Sequence, residues 1–252
     1  MNTDVITAAI LVIGDEILSG RTKDKNIGFI ADYLTQMGID LQEVRIVADD
    51  QDAIVEAVNA LRARWTYVFS TGGIGPTHDD ITADAMAAAF GVGIDHDPRA
   101  MAILKAYYDR SANMEFNEAR KRMARIPFGA DLIENKVSSA PGFKLDNVFV
   151  MAGVPMVMQA MMDAIAPTLE TNSQVLSVTV DSGMGEGLVA GPLAELAKEH
   201  PAVIIGSYPY MKDDVFATNI VLRCRQKDDL DTAEAAVHAM IESLRGKKQM
   251  IL

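Results

Sequence analysis

TGGIGPTHDDIT, residues 71–82, carries more structural information than any other part of this chain. Three of its first five residues are glycines, and they follow directly on an apolar run, residues 67–70, with the composition of a buried strand. Glycine lets the backbone turn tightly, so that successive N–H groups line a concave loop. A helix that starts just beyond the loop adds a partial positive charge. The run therefore predicts a cradle for a phosphate group.

Two adjacent carboxylates, Asp79 and Asp80, stand near the end of this run. They would repel a phosphate unless a cation stood between the charges, so the pattern indicates phosphate chemistry assisted by a divalent metal. A second interpretation stays open, because Thr77 followed three residues later by Asp80 resembles a capping box at a helix start. No Gly-Lys-Ser/Thr follows the glycines, which argues against an ATPase of the Walker A type.

The chain has 252 residues and a formal net charge of −12, which argues against a nucleic-acid-binding surface. The basic residues of the run 120–125 are interpreted as a solvated helix face. A single cysteine, Cys224, excludes an intrachain disulfide. The sequence shows no secretory signal and no apolar stretch of membrane-spanning length, so we expect a cytoplasmic protein that binds neither nucleic acid nor membrane.

Strand-like and helix-like segments alternate along the first half of the chain. Hydrophobic periodicity predicts strands at 5–13, 41–47 and 65–70, and helices at 24–37, 52–64 and 80–90. This alternation implies an α/β fold with a parallel sheet and helices on both faces. The pattern further predicts helical structure over residues 98–125 with a break at 113–116, and a strand at 147–151 that leads into a Met-rich helix.

Several carboxylates come directly after the predicted strands. Asp15 follows the first strand, Asp49 follows the second, and the pair Asp79 and Asp80 follows the third. Because ligands of such sheets lie beyond the carboxyl ends of the strands, we expect these acids to share one edge with the glycine loop. Gly153 follows a later strand and is a candidate for close backbone approach to the ligand. Together they predict an anion-plus-metal site.

A polar break at residues 170–173 is the predicted domain boundary. We predict one domain over residues 1–170 and a second over residues 174–252. The second domain has the order β-α-β-β-α, which is typical of a small α+β module with one sheet face covered.

Several motifs resemble one family. GDEIL at residues 14–18, followed by Asp24 and Asn26, is similar to the opening of the MoaB/Mog-like molybdopterin-binding domain as it occurs in the competence/damage-inducible CinA proteins. The glycine run at 71–82 resembles the signature segment of that branch, and GSYP at 206–209 resembles part of the KH-like domain that follows it. The resemblance implies a three-layer, mostly parallel α/β fold followed by a small α+β KH-like module.

The chain departs from that family in three places. It ends where full-length CinA proteins continue into a nicotinamide-mononucleotide deamidase domain, so a stand-alone form without that activity is expected. Ala152 replaces the proline that usually precedes GVP at 153–155, and Ser138 stands where a glycine usually precedes APGF at 140–143.

The resemblance implies two activities that differ in reaction type. The CinA branch is similar to metal-dependent ADP-ribose pyrophosphatases and to the flavin-nucleotide hydrolase domain of FAD synthase, whereas Mog-type relatives transfer AMP to molybdopterin. Residues 78–85 follow the CinA pattern. We therefore expect a pyrophosphatase that cleaves ADP-ribose or an FAD-like dinucleotide to AMP and a second monophosphate. A molybdopterin adenylyltransferase, or a non-catalytic nucleotide- or pterin-binding protein, are the alternatives.

Specific roles follow for the residues of the site. Asp80 and Asp49 are the expected metal ligands, for Mg²⁺ or Mn²⁺ with another transition metal as an alternative, and with Asp79 they are the expected catalytic residues. The expected phosphate-binding residues are Gly72, Gly73, Gly75, Thr77, Asp15 and Gly153. The expected ligand is a nucleotide or a pterin such as molybdopterin. From the resemblance we also expect a homo-oligomer, either a dimer or a trimer.

Overall fold

A computed structural model describes residues 5–110, 115–212 and 215–249 of the chain. The chain divides into two compact units, Met1–Asn172 and Ser173–Leu252. Within the described residues, no helix is both long enough and apolar enough to cross a membrane.

The first unit alternates strands and helices before it ends in a run of short strands. In chain order its elements are β1 Thr7–Ile13, α1 Asp15–Leu18, α2 Asn26–Gln36, β2 Asp40–Val47, α3 Gln51–Arg62, β3 Tyr67–Thr71, α4 Thr82–Phe90, β4 Ile94–His96, α5 Pro98–Asp109, α6 Glu118–Lys121, β5 Arg125–Pro127, β6 Asp131–Ile133, β7 Gly142–Leu145, β8 Val148–Met151 and α7 Pro155–Ile165.

The central sheet has six strands in the order β2-β1-β3-β8-β7-β6. Its first four strands are parallel, with Ile10 of β1 opposite Val44 on one side and Phe69 on the other. The last two strands pair antiparallel, so the sheet is mostly parallel as predicted. The carboxyl ends of β1, β2, β3 and β8 therefore meet along one edge.

Two apolar cores cover the two faces of this sheet, which gives the predicted three layers. Ala8, Ile10 and Val12 of β1 pack with α2 and α7, whereas the alternate residues of β1 pack with α3, α4 and α5. Both sets of β1 side chains are buried, which explains why the strand reads as a continuous apolar run.

The prediction of helical structure over residues 98–125 is only partly right. Helix α5 ends at Asp109, and Arg125 begins β5, which pairs antiparallel with β4. Strands β4, β5 and β6 have three residues each, too few to show the alternation by which a strand is recognised in a sequence.

The second unit is a small α+β module in the predicted order. Its elements are β9 Leu176–Asp181, α8 Glu186–Glu199, β10 Ile204–Lys212, β11 Val215–Cys224 and α9 Lys227–Gln249. The strands form an antiparallel sheet in the order β10-β11-β9. Ile220 and Leu222 of β11 pack with Val189 of α8 and Val237 of α9, so both helices share one apolar core with the sheet. The KH-like label stays a prediction.

Gly72, directly after β3, gives a test of how closely the strand ends pack. Its φ is +105°, and a Cβ atom there would lie 2.1 Å from the carbonyl oxygen of Ile13. We expect Gly72→Ala to lower the free energy of unfolding by roughly 3 kcal/mol or more, because backbone strain and overlap add. Chemical denaturation measures this loss.

Gly91→Ala is the matched control, because Gly91 also has a left-handed φ of +65° but nothing within 4 Å of a Cβ. Strain alone is expected to cost about 1–2 kcal/mol there. Equal losses in the two variants would contradict the close packing at Gly72.

Candidate phosphate-binding site

The glycine loop leaves β3 at Gly72 and is closed by the first residue of α4. Thr82 donates its backbone N–H to the Gly73 carbonyl and its hydroxyl to the Gly72 carbonyl, both at 3.0 Å. A Cβ on Gly73 would lie 2.1 Å from Thr82 Oγ1, so this clamp requires glycine. The clamp fixes the loop against the start of α4.

The backbone N–H groups of the loop differ in availability. Gly72 donates its N–H to the Met151 carbonyl at 3.1 Å, so it extends the sheet and is not free to hold a phosphate as expected. Within the described residues, no protein group accepts from the N–H of Gly73 or Gly75. The backbone N–H groups that remain available for a phosphate are therefore those of Gly73 and Gly75.

Asp80 forms a tight turn with Thr77. Its Oδ2 accepts the Thr77 backbone N–H at 2.8 Å and also accepts the Thr77 hydroxyl. These bonds occupy both donors of Thr77, so the expected contact from its hydroxyl to a phosphate is not available in this arrangement. The capping interpretation is also not what forms, because α4 begins at Thr82 and its N-cap residue, Ile81, makes no side-chain cap. Asp80 therefore stabilises a turn within the loop and does not cap helix α4.

The predicted gathering of carboxylates at the sheet edge is centred on Asp49. Its Oδ2 accepts the backbone N–H of Asp15 at 2.9 Å, and its Oδ1 lies 3.5 Å from where a Cβ on Gly73 would stand. Burial raises the pKa of the Asp49 carboxyl above its usual value, and the charges of Asp15, Glu16 and Asp79 raise it further. Asp49 is thus a partly buried acid in a field of like charge, which favours a cation.

Asp79 is the exposed member of the acid pair. The pKa of its carboxyl is lowered, mainly by the nearby Thr77 hydroxyl, although the hydrogen bond of that hydroxyl goes to Asp80, and His78 adds a smaller effect. The His78 side chain is 99% exposed. Across the described ranges, no three His, Cys, Asp or Glu side chains are grouped closely enough to hold a metal ion by themselves.

A cavity of about 500 Å³ opens between two loops at this edge, and we call it the main cavity. Residues 72–75 form one side, residues 152–155 form the other, and Asp80, Asn135 and Ser138 also line it. A Cβ on Gly153 would lie 3.3 Å from the Gly72 Cα, so the two loops meet here, and the predicted close approach of Gly153 to a ligand stays a prediction. Helix α7 begins at Pro155 with no side-chain cap, which leaves its positive end facing this cavity.

The contacts of two arginines near the site were not predicted from the sequence. The basic run 120–125 was interpreted as a solvated face, but Arg125 makes two 2.7 Å hydrogen bonds to the carboxylate of Asp84 in α4. Arg122 reaches the Asp80 carbonyl at 3.5 Å, and its Nε is buried without a hydrogen-bond partner. Nothing in the sequence indicated these contacts, because the predicted helix over residues 98–125 did not include strand β5, where the chain turns back toward α4.

Each of the two units matches a known protein family. A family described as "Probable molybdopterin binding domain" matches residues 9–171, and one described as "FAD synthase, middle domain" matches residues 174–247. A protein of Archaeoglobus fulgidus is 33% identical over 201 residues, 79% of this chain and 84% of that protein. A "Probable FAD synthase" of Caenorhabditis briggsae is 28% identical over 258 residues, which cover 93% of this chain and 49% of that protein.

A solved structure of CinA supports the same assignment. The crystal structure of the protein CinA from Thermoplasma acidophilum, described as having unknown function, matches with a TM-score of 0.60 at 33% identity. The match covers 65% of this chain and 98% of that chain. The resemblance to the MoaB/Mog-like domain of CinA type is thereby confirmed.

The charge field around Asp49 predicts a pH-dependent gain of stability in Asp49→Asn. The folded chain raises the pKa of this carboxyl, so ionised Asp49 opposes folding at pH 7, and that opposition disappears as pH falls below about 4. We expect the variant to melt at a higher temperature than the natural chain at pH 7 without divalent metal. The difference is expected to stay constant while the pH is above the folded pKa of Asp49, and to shrink as the pH falls through that pKa toward about 4.

Asp50→Asn is the control, because Asp50 accepts the Ala53 N–H at the start of α3 and asparagine caps equally well. It removes the same formal charge one residue away, with an expected change of less than about 0.5 kcal/mol. A gain for Asp49→Asn that is the same at pH 4 and pH 7 would contradict the electrostatic origin.

Proposed function

The chain belongs to the molybdopterin-binding domain family, and from that membership we propose that it is a metal-dependent nucleotide pyrophosphatase. The proposed substrate is a dinucleotide such as ADP-ribose or FAD, which is cleaved to AMP and a second monophosphate. The observation that carries the proposal is the placement of Asp49, with its raised pKa, beside a glycine loop whose Gly73 and Gly75 N–H groups have no partner in the part of the chain that the structure describes. Donors for an anion and acids for a cation lie side by side.

The second unit supports a dinucleotide in particular. It matches the FAD synthase middle domain, and a relative named as a probable FAD synthase aligns with 93% of this chain. Both point to nucleotide chemistry beyond the molybdopterin-binding fold itself.

The residues that would hold a metal are Asp49 and Asp80. Mg²⁺ is usually bound by one or two carboxylates together with phosphate oxygens of the substrate, so the lack of a three-residue cluster among the described residues fits a cation that arrives with its nucleotide. When bound, the ion would neutralise phosphate charge and lower the pKa of a water molecule. Asp15 orients Asp49 through its N–H, and Asp79 keeps its negative charge at neutral pH.

The reaction itself is a hydrolysis. The oxygen of a water molecule bonds to one phosphorus, the bridging P–O bond breaks, and each half of the dinucleotide leaves with one phosphate. Gly73 and Gly75 hold non-bridging oxygens through their N–H groups, and the positive ends of α4 and α7 stabilise the added charge.

A transferase that acts on molybdopterin is the second candidate, favoured by the description of the matching family. It requires ATP and the pterin together, and it forms no AMP from a dinucleotide and water. A non-catalytic binding protein would do neither.

We expect purified protein with Mg²⁺ to release AMP from ADP-ribose or FAD, with ¹⁸O from labelled water in one of the two monophosphates. Asp80→Asn separates the role of the negative charge from the role of Asp80 in the turn. Asparagine lacks the charge but still accepts the Thr77 N–H. Asp80→Asn is expected to fold as stably as the natural chain and to lose at least about 100-fold in turnover, the loss typical of an altered metal site.

Asp80→Ala is the companion variant, which loses the charge and the acceptor, and it is expected to lose about 1 kcal/mol of stability as well. Full activity of Asp80→Asn would contradict the metal-ligand role. No AMP from any dinucleotide, with ATP consumed only when molybdopterin is present, would establish the transferase instead.

A further inference from the structure

A second, smaller cavity of about 210 Å³ adjoins the main cavity, and we call it the side cavity. It lies between the start of α2 and the strand ends, and its lining includes Asn26, Thr71, Lys23 and Lys25. The two cavities share Gly72 and Gly153 among their lining residues, so they meet where the two loops approach each other. Pockets for whole ligands of drug size have about 300–1,000 Å³, so the side cavity suits one fragment of a ligand.

Asn26 brings an unpaired acceptor to the side cavity. The residue is only 5% exposed, and its Nδ2 donates to the Gly153 carbonyl at 2.8 Å. That bond fixes the orientation of the amide and leaves Oδ1 buried with no hydrogen-bond partner among the described residues. The backbone N–H groups of Asn26 and Ile27 are already bound by Asp24, so the amide oxygen and not the helix end is the unsatisfied group.

Thr71 brings a second unsatisfied group to the same cavity. It is the last residue of β3 and is 1% exposed, and its Oγ1 also has no hydrogen-bond partner within the described ranges. A buried polar group left unpaired costs about 1–3 kcal/mol, and two residues that carry such groups line this one cavity, where a ligand would supply the missing partners.

We propose that the side cavity binds a sugar of the substrate through its hydroxyl groups. This inference rests on the proposed function, which places the pyrophosphate at the glycine loop. The group attached to either phosphate of a dinucleotide is a ribose or another polyol, so a hydroxyl-bearing sugar is what must lie next to the loop.

The chemistry of the side cavity fits a sugar phosphate. A sugar hydroxyl donates to Asn26 Oδ1 and exchanges a hydrogen bond with Thr71 Oγ1, and both unsatisfied groups are then paired. The charges on the lining balance, because Lys23 and Lys25 are matched by Glu16 and Asp24, so hydroxyl groups and not a net charge are what the cavity would recognise. Both halves of a dinucleotide carry such a sugar phosphate, and ribose 5-phosphate and AMP represent them separately.

Thr71→Val is the test variant, because valine has the shape of threonine without its hydroxyl. The variant is expected to be at least as stable as the natural chain, since it removes a buried hydroxyl that has no partner. In calorimetric titrations with Mg²⁺ it is expected to bind ribose 5-phosphate, AMP or both about three- to tenfold more weakly, and inorganic pyrophosphate unchanged. Thr71→Ser, which restores a hydroxyl, is expected to recover most of the affinity.

Ser70→Ala is the matched control, because Ser70 is the preceding residue of β3, is fully buried and has an unpartnered hydroxyl, but does not line the side cavity. It is expected to bind every probe as the natural chain does. The probe that Thr71→Val weakens identifies which half of the substrate occupies the side cavity.

Equal binding of both sugar phosphates by Thr71→Val and the natural chain, with pyrophosphate bound by both, would overturn the sugar site and leave the proposed function standing. Equal weakening by Ser70→Ala would also overturn it. Failure of the natural chain to bind pyrophosphate would contradict the proposed function, and sugar phosphates bound with the same dependence on Thr71 would still support the side cavity.

Discussion

The backbone contact between Gly72 and the ends of β1 and β8 is the constraint on which the site depends. A Cβ at Gly72 would stand 2.1 Å from the Ile13 carbonyl oxygen, and one at Gly153 would stand 3.3 Å from the Gly72 Cα. The backbone therefore approaches itself closely where β1, β3 and β8 end, and this leaves no room for a side chain at Gly72. Gly72 and Gly153 line both the main cavity and the side cavity, and the Thr82 clamp holds the loop in place.

Charge is the second constraint. Asp15, Glu16, Asp49 and Asp79 gather at the same edge, and the pKa of Asp49 is raised by burial and by its neighbours. Like charges that gather around a partly buried carboxylate disfavour its ionised form, and a cation would remove that repulsion. We propose that the cation is held together with the phosphates of a substrate. In this proposal the cluster of carboxylates lowers the stability of the fold and is kept because it binds the cation.

The sequence predicted the parallel part of the fold because long apolar runs and helical spacing specify it directly. It also predicted that acids after three different strands share an edge, since parallel strands end on the same side of a sheet. It did not predict the roles of individual polar atoms. The Gly72 N–H was expected to bind phosphate, yet it donates to the carbonyl of Met151, because the hydrogen bonding between β3 and β8 continues to the residue after β3.

Other features depend on contacts between distant segments and leave no local pattern. Arg125 belongs to a three-residue strand and meets Asp84 only after the chain folds back, so its pairing is invisible in the sequence. Asn26 was noted as part of a motif, but its partner Gly153 lies 127 residues away. The metal, the oligomeric state and the KH-like label stay predictions.

The most direct test of the central claim is the coupling between Mg²⁺ and inorganic pyrophosphate, measured by calorimetric titration of each in the presence and absence of the other. If acids and glycine loop form one site that a cation completes, each ligand must tighten the other by the same factor. We expect a coupling of at least about tenfold in the natural chain, and most of it to be lost in Asp49→Asn. Pyrophosphate affinity that is unchanged by Mg²⁺ would contradict the account.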